Sequence, residues 1–291
     1  LSSSNPSHWG LSAGGGSSTK PLFHAFVSGA TGTVDQPITT EPTIAYHPTI
    51  EDGPAPNLMV FFGTGKFLDE ADKTDLNQQS YYGIWDTGHR SSGSDLTRAN
   101  LAAQSFIVND STTGERVLQP ISEMSPDYEG AEGSRQFGWY IDLDAGERVA
   151  SRSLFRLGIL HFNTIIPDSS VCASGGTGWE MAVESENGGS PKEASFDFNQ
   201  DGVVTITGDT YTITTGSPPT ASTIGYAGQK VDADKGMPAG PAIIGNRLYT
   251  SSTGTDASST DFVGTDKLLA GDDPSESLDG RRSWQELSKS Y

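Results

Sequence analysis

Gly138-Trp139-Tyr140-Ile141-Asp142 is a short aromatic and β-branched run opened by a glycine, and it decides the fold because it recurs. Gly83-Ile84-Trp85-Asp86 and Gly178-Trp179-Glu180-Met181 also set a tryptophan in a short strand-type segment. A glycine-containing turn follows each run, at Gly88, Gly146 and Gly188-Gly189. The spacing of roughly 40 to 55 residues suits four-stranded propeller blades with variable loops. The indoles are then expected to fill the wedge between neighbouring sheets. The pattern favours a β-propeller over a β-sandwich with scattered tryptophans.

The rest of the chain agrees with an all-β protein. Its 291 residues include 35 Gly and 16 Pro, and no long stretch keeps a 3.6-residue period. Strands are predicted over Pro21–Val27, Asn57–Phe62, Tyr81–Trp85, Gly138–Leu143, Arg148–Phe155, Leu157–Ile166, Trp179–Glu184, Val203–Thr214 and Ala242–Ser251. Short helical turns are predicted within Asp69–Asn77 and Gly114–Arg135, and Ser217–Lys235 reads as irregular. Residues 1–20 form a Ser/Gly-rich lead-in with one anchor, Trp9, and 252–291 a loop closed by a second anchor, Trp284.

Composition excludes several function classes. A formal charge of −19 argues against nucleic acid and against anionic membrane surfaces. No run of 18 apolar residues predicts a membrane span. Cys172 is the sole cysteine and cannot form a disulfide within the chain; it reads as a small buried filler. The chain starts at Leu1 without a methionine and reads as a piece of a longer protein.

One segment carries chemistry. Asp197-Phe198-Asn199-Gln200-Asp201-Gly202 puts acidic or amide oxygens at alternate positions and then a glycine, the opening half of a calcium loop, D-x-N-x-D-G. The glycine permits the bend that would bring the Val203 carbonyl to the ion. Hard oxygens select Ca²⁺, and no thiolate or imidazole stands nearby. The predicted ligands are Asp197, Asn199, Asp201, the Val203 carbonyl and Thr205, the last a weak ligand that acts directly or through a water. The second half departs from an EF-hand, with Gly208 where a bidentate Glu would stand. Val203–Thr207 and Thr210–Thr214 read as strands joined by a two-residue hairpin at Gly208-Asp209. That hairpin would hold Asp209 roughly 13 Å or more from Thr205 and out of reach of the ion.

Other constellations are weaker. Gly63-Thr64-Gly65-Lys66 lacks the spacing of a phosphate loop and reads as a tight turn. Asp69, Glu70, Asp72 and Asp75 read as a solvated acidic loop. The histidines at 8, 24, 47, 89 and 161 have no zinc-site spacing, and no G-x-S-x-G elbow appears. No catalytic residue and no organic cofactor site stands out.

Several segments together resemble the C-terminal β-propeller domain of the PilY family, proteins of the type IV pilus tip and its assembly. They are Leu58-Met59-Val60-Phe61-Phe62-Gly63-Thr64-Gly65-Lys66-Phe67-Leu68, then Gln79-Ser80-Tyr81-Tyr82-Gly83-Ile84-Trp85-Asp86, and Gly138–Leu143 with Gly146-Glu147-Arg148-Val149. Pro167–Cys172 leading to Gly178-Trp179, the Phe196–Gly202 loop and Ser283-Trp284-Gln285-Glu286-Leu287 complete the set. The resemblance covers most of the chain from about residue 57. It implies an incomplete propeller, 1–291 being the C-terminal portion of a larger one with long loops. It also implies export to the cell surface or pilus tip, minor pilins as partners, and calcium-dependent control of pilus extension against retraction. Twitching motility and adhesion to a host receptor or glycan follow from the same likeness. The family has an Asp where this chain has Thr205, which weakens the expected calcium grip. The expected function is therefore non-enzymatic, with two alternatives: an adhesin holding calcium structurally, and a quinoprotein-like propeller dehydrogenase.

Overall fold

The computed structural model describes residues 21–29, 32–88, 96–131, 133–168, 175–215, 219–254 and 264–268. Expectations for Trp9, His8, His89, Cys172 and Trp284 fall outside the described residues. In chain order the strands are β1 (Phe26–Gly29), β2 (Gly32–Asp35), β3 (Thr43–Tyr46), β4 (Leu58–Gly63), β5 (Ser80–Asp86) and β6 (Ala102–Gln104). There follow β7 (Phe106–Asp110), β8 (Glu115–Leu118), β9 (Gly138–Asp142), β10 (Leu154–Arg156), β11 (Ile159–Pro167) and β12 (Gly176–Glu184). The last six are β13 (Thr210–Thr215), β14 (Thr220–Gly225), β15 (Gly228–Val231), β16 (Ala242–Ile244), β17 (Arg247–Ser251) and β18 (Gly264–Leu268).

Two large sheets dominate, in the orders β3-β4-β5-β9-β6 and β10-β11-β12-β15-β8-β7. The pairs β1-β2 and β13-β14 and the triple β16-β17-β18 stand apart, so the described sheets form an open array rather than a closed ring. This is an all-β, incomplete propeller. The expected four-stranded blade is enlarged on both sides. A β7–β8 hairpin pairs with β15, and β6 adds to β9 in the parallel sense.

Strand alternation explains why the first sheet is buried on both faces. On β4, Met59 and Phe61 enter one apolar cluster while Phe62 and Val60 enter another. On β5, Tyr81 and Trp85 join the first, and Tyr82 and Ile84 the second. Leu160 and Phe162 of β11 and Trp179, Met181 and Val183 of β12 close the first cluster from the second sheet. The Tyr81 and Phe162 rings stack across this seam at 3.8 Å, and Tyr81 donates to Ser153 Oγ at 2.7 Å. Fully burying each large apolar side chain contributes about 1.5–3 kcal/mol, and this seam holds the largest of the apolar clusters among the described residues.

All three repeat tryptophans are buried in that cluster, as the inter-blade packing expectation requires. Trp139 is the most confined. It pairs with Gly83 across β5 and β9, where a Cβ on Gly83 would lie 2.5 Å from the indole. Gly188 of the opposite sheet approaches the same ring just as closely. The indole donates to the Ser185 carbonyl at 3.0 Å. Gly83 and Gly188 are therefore space for one ring laid against backbone, whereas Gly138 and Gly178 let neighbouring strands' carbonyls approach.

A buried ion pair lies beside these rings. Arg116 and Glu147 are both fully buried and make two parallel hydrogen bonds of 2.6 and 2.7 Å. Arg116 also reaches Asp144 at 2.9 Å and lies over the Trp179 ring at 3.9 Å. Glu147 accepts in addition from Thr164 Oγ1 and the Asp144 amide.

Three local expectations are corrected. Arg148–Phe155 is not a strand: Arg148 makes one bridge to Ile165, and only Leu154–Arg156 joins a sheet. The Arg148 guanidinium instead donates to the carbonyls of Lys66, Asp72, Asp75 and Gly146. Pro21–Val27 is strand only from Phe26 onward; Phe23 makes a single parallel bridge to Leu96 and packs into the second apolar cluster. Ser217–Lys235 is not irregular, since it supplies β14 and β15. The tight turn expected at Gly63–Lys66 is not formed: the Thr64 amide continues the pairing to Ser80, and Gly65, at φ +120°, bridges Ile38 in the parallel sense with its amide donating to Pro37. A 3₁₀ turn over Glu70–Thr74 fills the acidic loop, where Lys66 holds Asp72 at 2.7 Å. That ammonium contact and two backbone N–H donors lower the Asp72 carboxyl to about 2.

Candidate metal centre

The acidic loop leaves the second sheet after β12 and returns to it through β13 to β15. Phe196 anchors its start by packing with Ala182 and Leu248. Phe198 stacks on Tyr226 at 3.9 Å and 17°. Between and beyond these two rings the chain curls tightly, with Gln200 at φ +58° and Gly202 at φ +93°. Residues in that region favour glycine, which explains the glycine at 202.

The curl is built from side chains bonded to their own backbone. Asp197, only 4% exposed, accepts from the Asp201 amide at 3.1 Å and the Gly202 amide at 2.9 Å. Asn199 Oδ1 accepts from the Asp201 amide at 3.0 Å, and its Nδ2 donates to Asp201 Oδ2 at 3.0 Å. Asp201 Oδ1 accepts from the Val203 amide at 3.0 Å. The bend thus draws Asp197, Asn199 and Asp201 together. Each oxygen has a further lone pair beyond the bond it makes.

Thr205 stands apart: it is exposed and its hydroxyl donates to the Thr207 carbonyl at 2.9 Å. The segment after it departs from the expected hairpin. Val203–Thr207 is not a strand, and Ile206–Asp209 is an irregular turn with Thr207 at ψ 112° and Gly208 at φ +92°. The partner of β13 is β14.

Asp209 causes the difference, and the sequence reading placed it out of reach. It is 1% exposed. One carboxylate oxygen accepts from the Phe198 and Asn199 amides at 2.8 and 3.2 Å, and the other from the Thr205 amide at 2.8 Å. It therefore clips both ends of the loop together. The available signal was an acidic residue just past the twelfth position, read instead as half of a turn.

The donor chemistry suits a hard divalent ion: two carboxylates, one amide oxygen and a neighbouring backbone carbonyl. The third carboxylate, Asp209, is already bonded to amides. Among the described residues no group of three or more His, Cys, Asp or Glu side chains is arranged to hold a metal. Any ion here would rely on amide, carbonyl and water oxygens to complete its shell.

Comparisons with known proteins agree with this architecture. The family model for the PilY1 β-propeller domain matches residues 10–115. The type IV pilus biogenesis factor PilY1 of Pseudomonas aeruginosa strain PAO1 is 32% identical over 200 residues, 64% of this chain and 16% of that protein. A PilY1 homolog of Xylella fastidiosa strain Temecula1 is 31% identical over 201 residues, 65% of this chain and 12% of that one. The chain thus spans less than a fifth of these relatives. The crystal structure of the Pseudomonas aeruginosa PilY1 C-terminal domain superposes with a TM-score of 0.60 at 22% identity, covering 86% of this chain and 48% of that domain. Sequence likeness and superposition converge on one architecture: this chain is similar to the PilY1 β-propeller domain and shares its fold.

Proposed function

We propose that the chain is a non-enzymatic, calcium-binding module of type IV pilus biogenesis. In this reading the ion neutralises Asp197 and Asp201 and fixes the curl between Phe196 and Asp209. The ordered curl then presents one surface to a pilus partner, such as a minor pilin, and its loss shifts the balance of pilus extension and retraction. The pilus role is supported by what the relatives are named for, and in this reading the propeller works outside the cell, at the surface or pilus tip. Among the described residues no helix is long and apolar enough to cross a membrane.

The observation that carries the calcium reading is the Asp197–Gly202 curl, which gathers three side-chain oxygen donors within five residues. Calorimetric titration with calcium tests it. Wild type is expected to give saturable heat, and Asp201→Ala to lose it. Heat that is absent from the folded wild type removes the proposal. Thr205→Asp, which restores the family's acidic ninth position, is expected to tighten binding. An equal affinity in that variant removes Thr205 from the ligand set.

A further inference from the structure

A cleft of about 520 Å³ opens beside the acidic curl, within the size range of small-molecule sites. Its walls come from three places in the sequence: the β7–β8 turn at Ser111–Gly114, β15 from Gln229 onward with Asp232 and Lys235 beyond it, and loop residues Phe198–Gln200. Glu180 of β12 lines it, is 3% exposed, and faces Gln229 in the β12–β15 register. The half-buried Phe198–Tyr226 stack forms an aromatic side.

The charges decide what fits. Carboxylates of Glu115, Glu180 and Asp232 meet the ammonium groups of Lys230 and Lys235. Lys235 stands 3.5 Å from Asp232, and Lys230 Nζ donates to the Ser111 carbonyl at 3.4 Å. A nearly balanced lining on a chain of net charge −19 offers no grip to a phosphate or polyanion. A wall of carboxylates, amides and hydroxyls is equally unsuited to an apolar ligand, whose burial would strand those polar groups. It suits a neutral molecule that both donates and accepts. Carboxylate and amide side chains accept from adjacent hydroxyls, and the C–H face of a pyranose meets the negative face of an aromatic ring.

We propose that this cleft binds a neutral saccharide, one or two rings of a larger glycan. The inference does not require the metal reading, although the shared residues Phe198, Asn199 and Gln200 couple the two if both hold.

The test is an array of neutral and acidic glycans probed with the folded protein, with calcium and with chelator, followed by calorimetry on retained neutral glycans. Retention of a neutral glycan is expected, weakened about tenfold or more by Glu180→Gln and by Lys230→Ala. Lys192→Ala, in a separate cavity, is expected to bind as wild type. Lys230→Ala decides the matter if Glu180→Gln does not fold. Retention of no neutral glycan, selective capture of acidic glycans, or binding indifferent to both cleft variants overturns the proposal. Saccharide binding unchanged by chelator, in a protein that gives no calcium heat, upholds the cleft and removes the metal. Calcium heat without glycan capture does the reverse.

Discussion

Asp209→Asn is the most informative substitution in the loop. The buried wild-type carboxylate satisfies three backbone amides with two oxygens. An amide side chain of the same shape keeps one oxygen and turns an NH₂ toward at least one N–H donor. That pairing loses a charge-assisted bond and leaves one part-buried N–H facing the NH₂, for a cost of about 2–4 kcal/mol. If the loop melts together with the sheets, the calcium-free melting temperature falls by roughly 5–15 °C. If it opens alone, amide exchange at Phe198, Asn199 and Thr205 accelerates while β11 and β12 stay protected. Calorimetry and exchange mass spectrometry on calcium-free protein read both. An unchanged melt together with unchanged exchange at those three amides would refute the clip, and Asp209 would then be free to serve an ion.

Other predictions follow from the interior. Glu147→Ala strands the fully buried Arg116 beside the half-exposed Asp144 and is expected to cost about 3–5 kcal/mol in denaturant unfolding; a loss under about 1 kcal/mol contradicts it. Gly83→Ala drives a methyl into the Trp139 indole and is expected to cost about 1–3 kcal/mol, with altered tryptophan fluorescence; a silent variant means the ring has room to shift. His47 is buried, and desolvation lowers its pKa to about 4. The unfolded imidazole binds its proton near 6.5, so the stabilising contribution is full above that value and is lost as pH falls toward 4. His47→Gln is expected to flatten the melting profile across that window; parallel profiles remove His47 as the cause.

The sequence disclosed what alternation and ring size encode. Leu58–Gly63, Ser80–Asp86 and Gly138–Asp142 were legible because each alternates apolar residues between two clusters. β14 was not, because Thr220-Ala221-Ser222-Thr223-Ile224-Gly225 is mostly polar and becomes strand only by pairing with β13. Arg116 gave no sign of burial, since its shelter comes from Glu147 and Trp179, distant in sequence. The curl at 197–202 could be read from spacing alone. Its closure by Asp209 could not, because local turn propensity pointed to a hairpin and a long-range carboxylate clip overrode it.

The glycine-walled slot for Trp139 constrains how this molecule can move. An indole touching backbone on one strand and a turn of the opposing sheet leaves no slack for either layer to tilt. A tilt of one layer would drive backbone into the ring, so a change in the acidic curl is not expected to travel inward as a blade rotation. It stays at the rim, so whatever senses that change has to touch the rim itself.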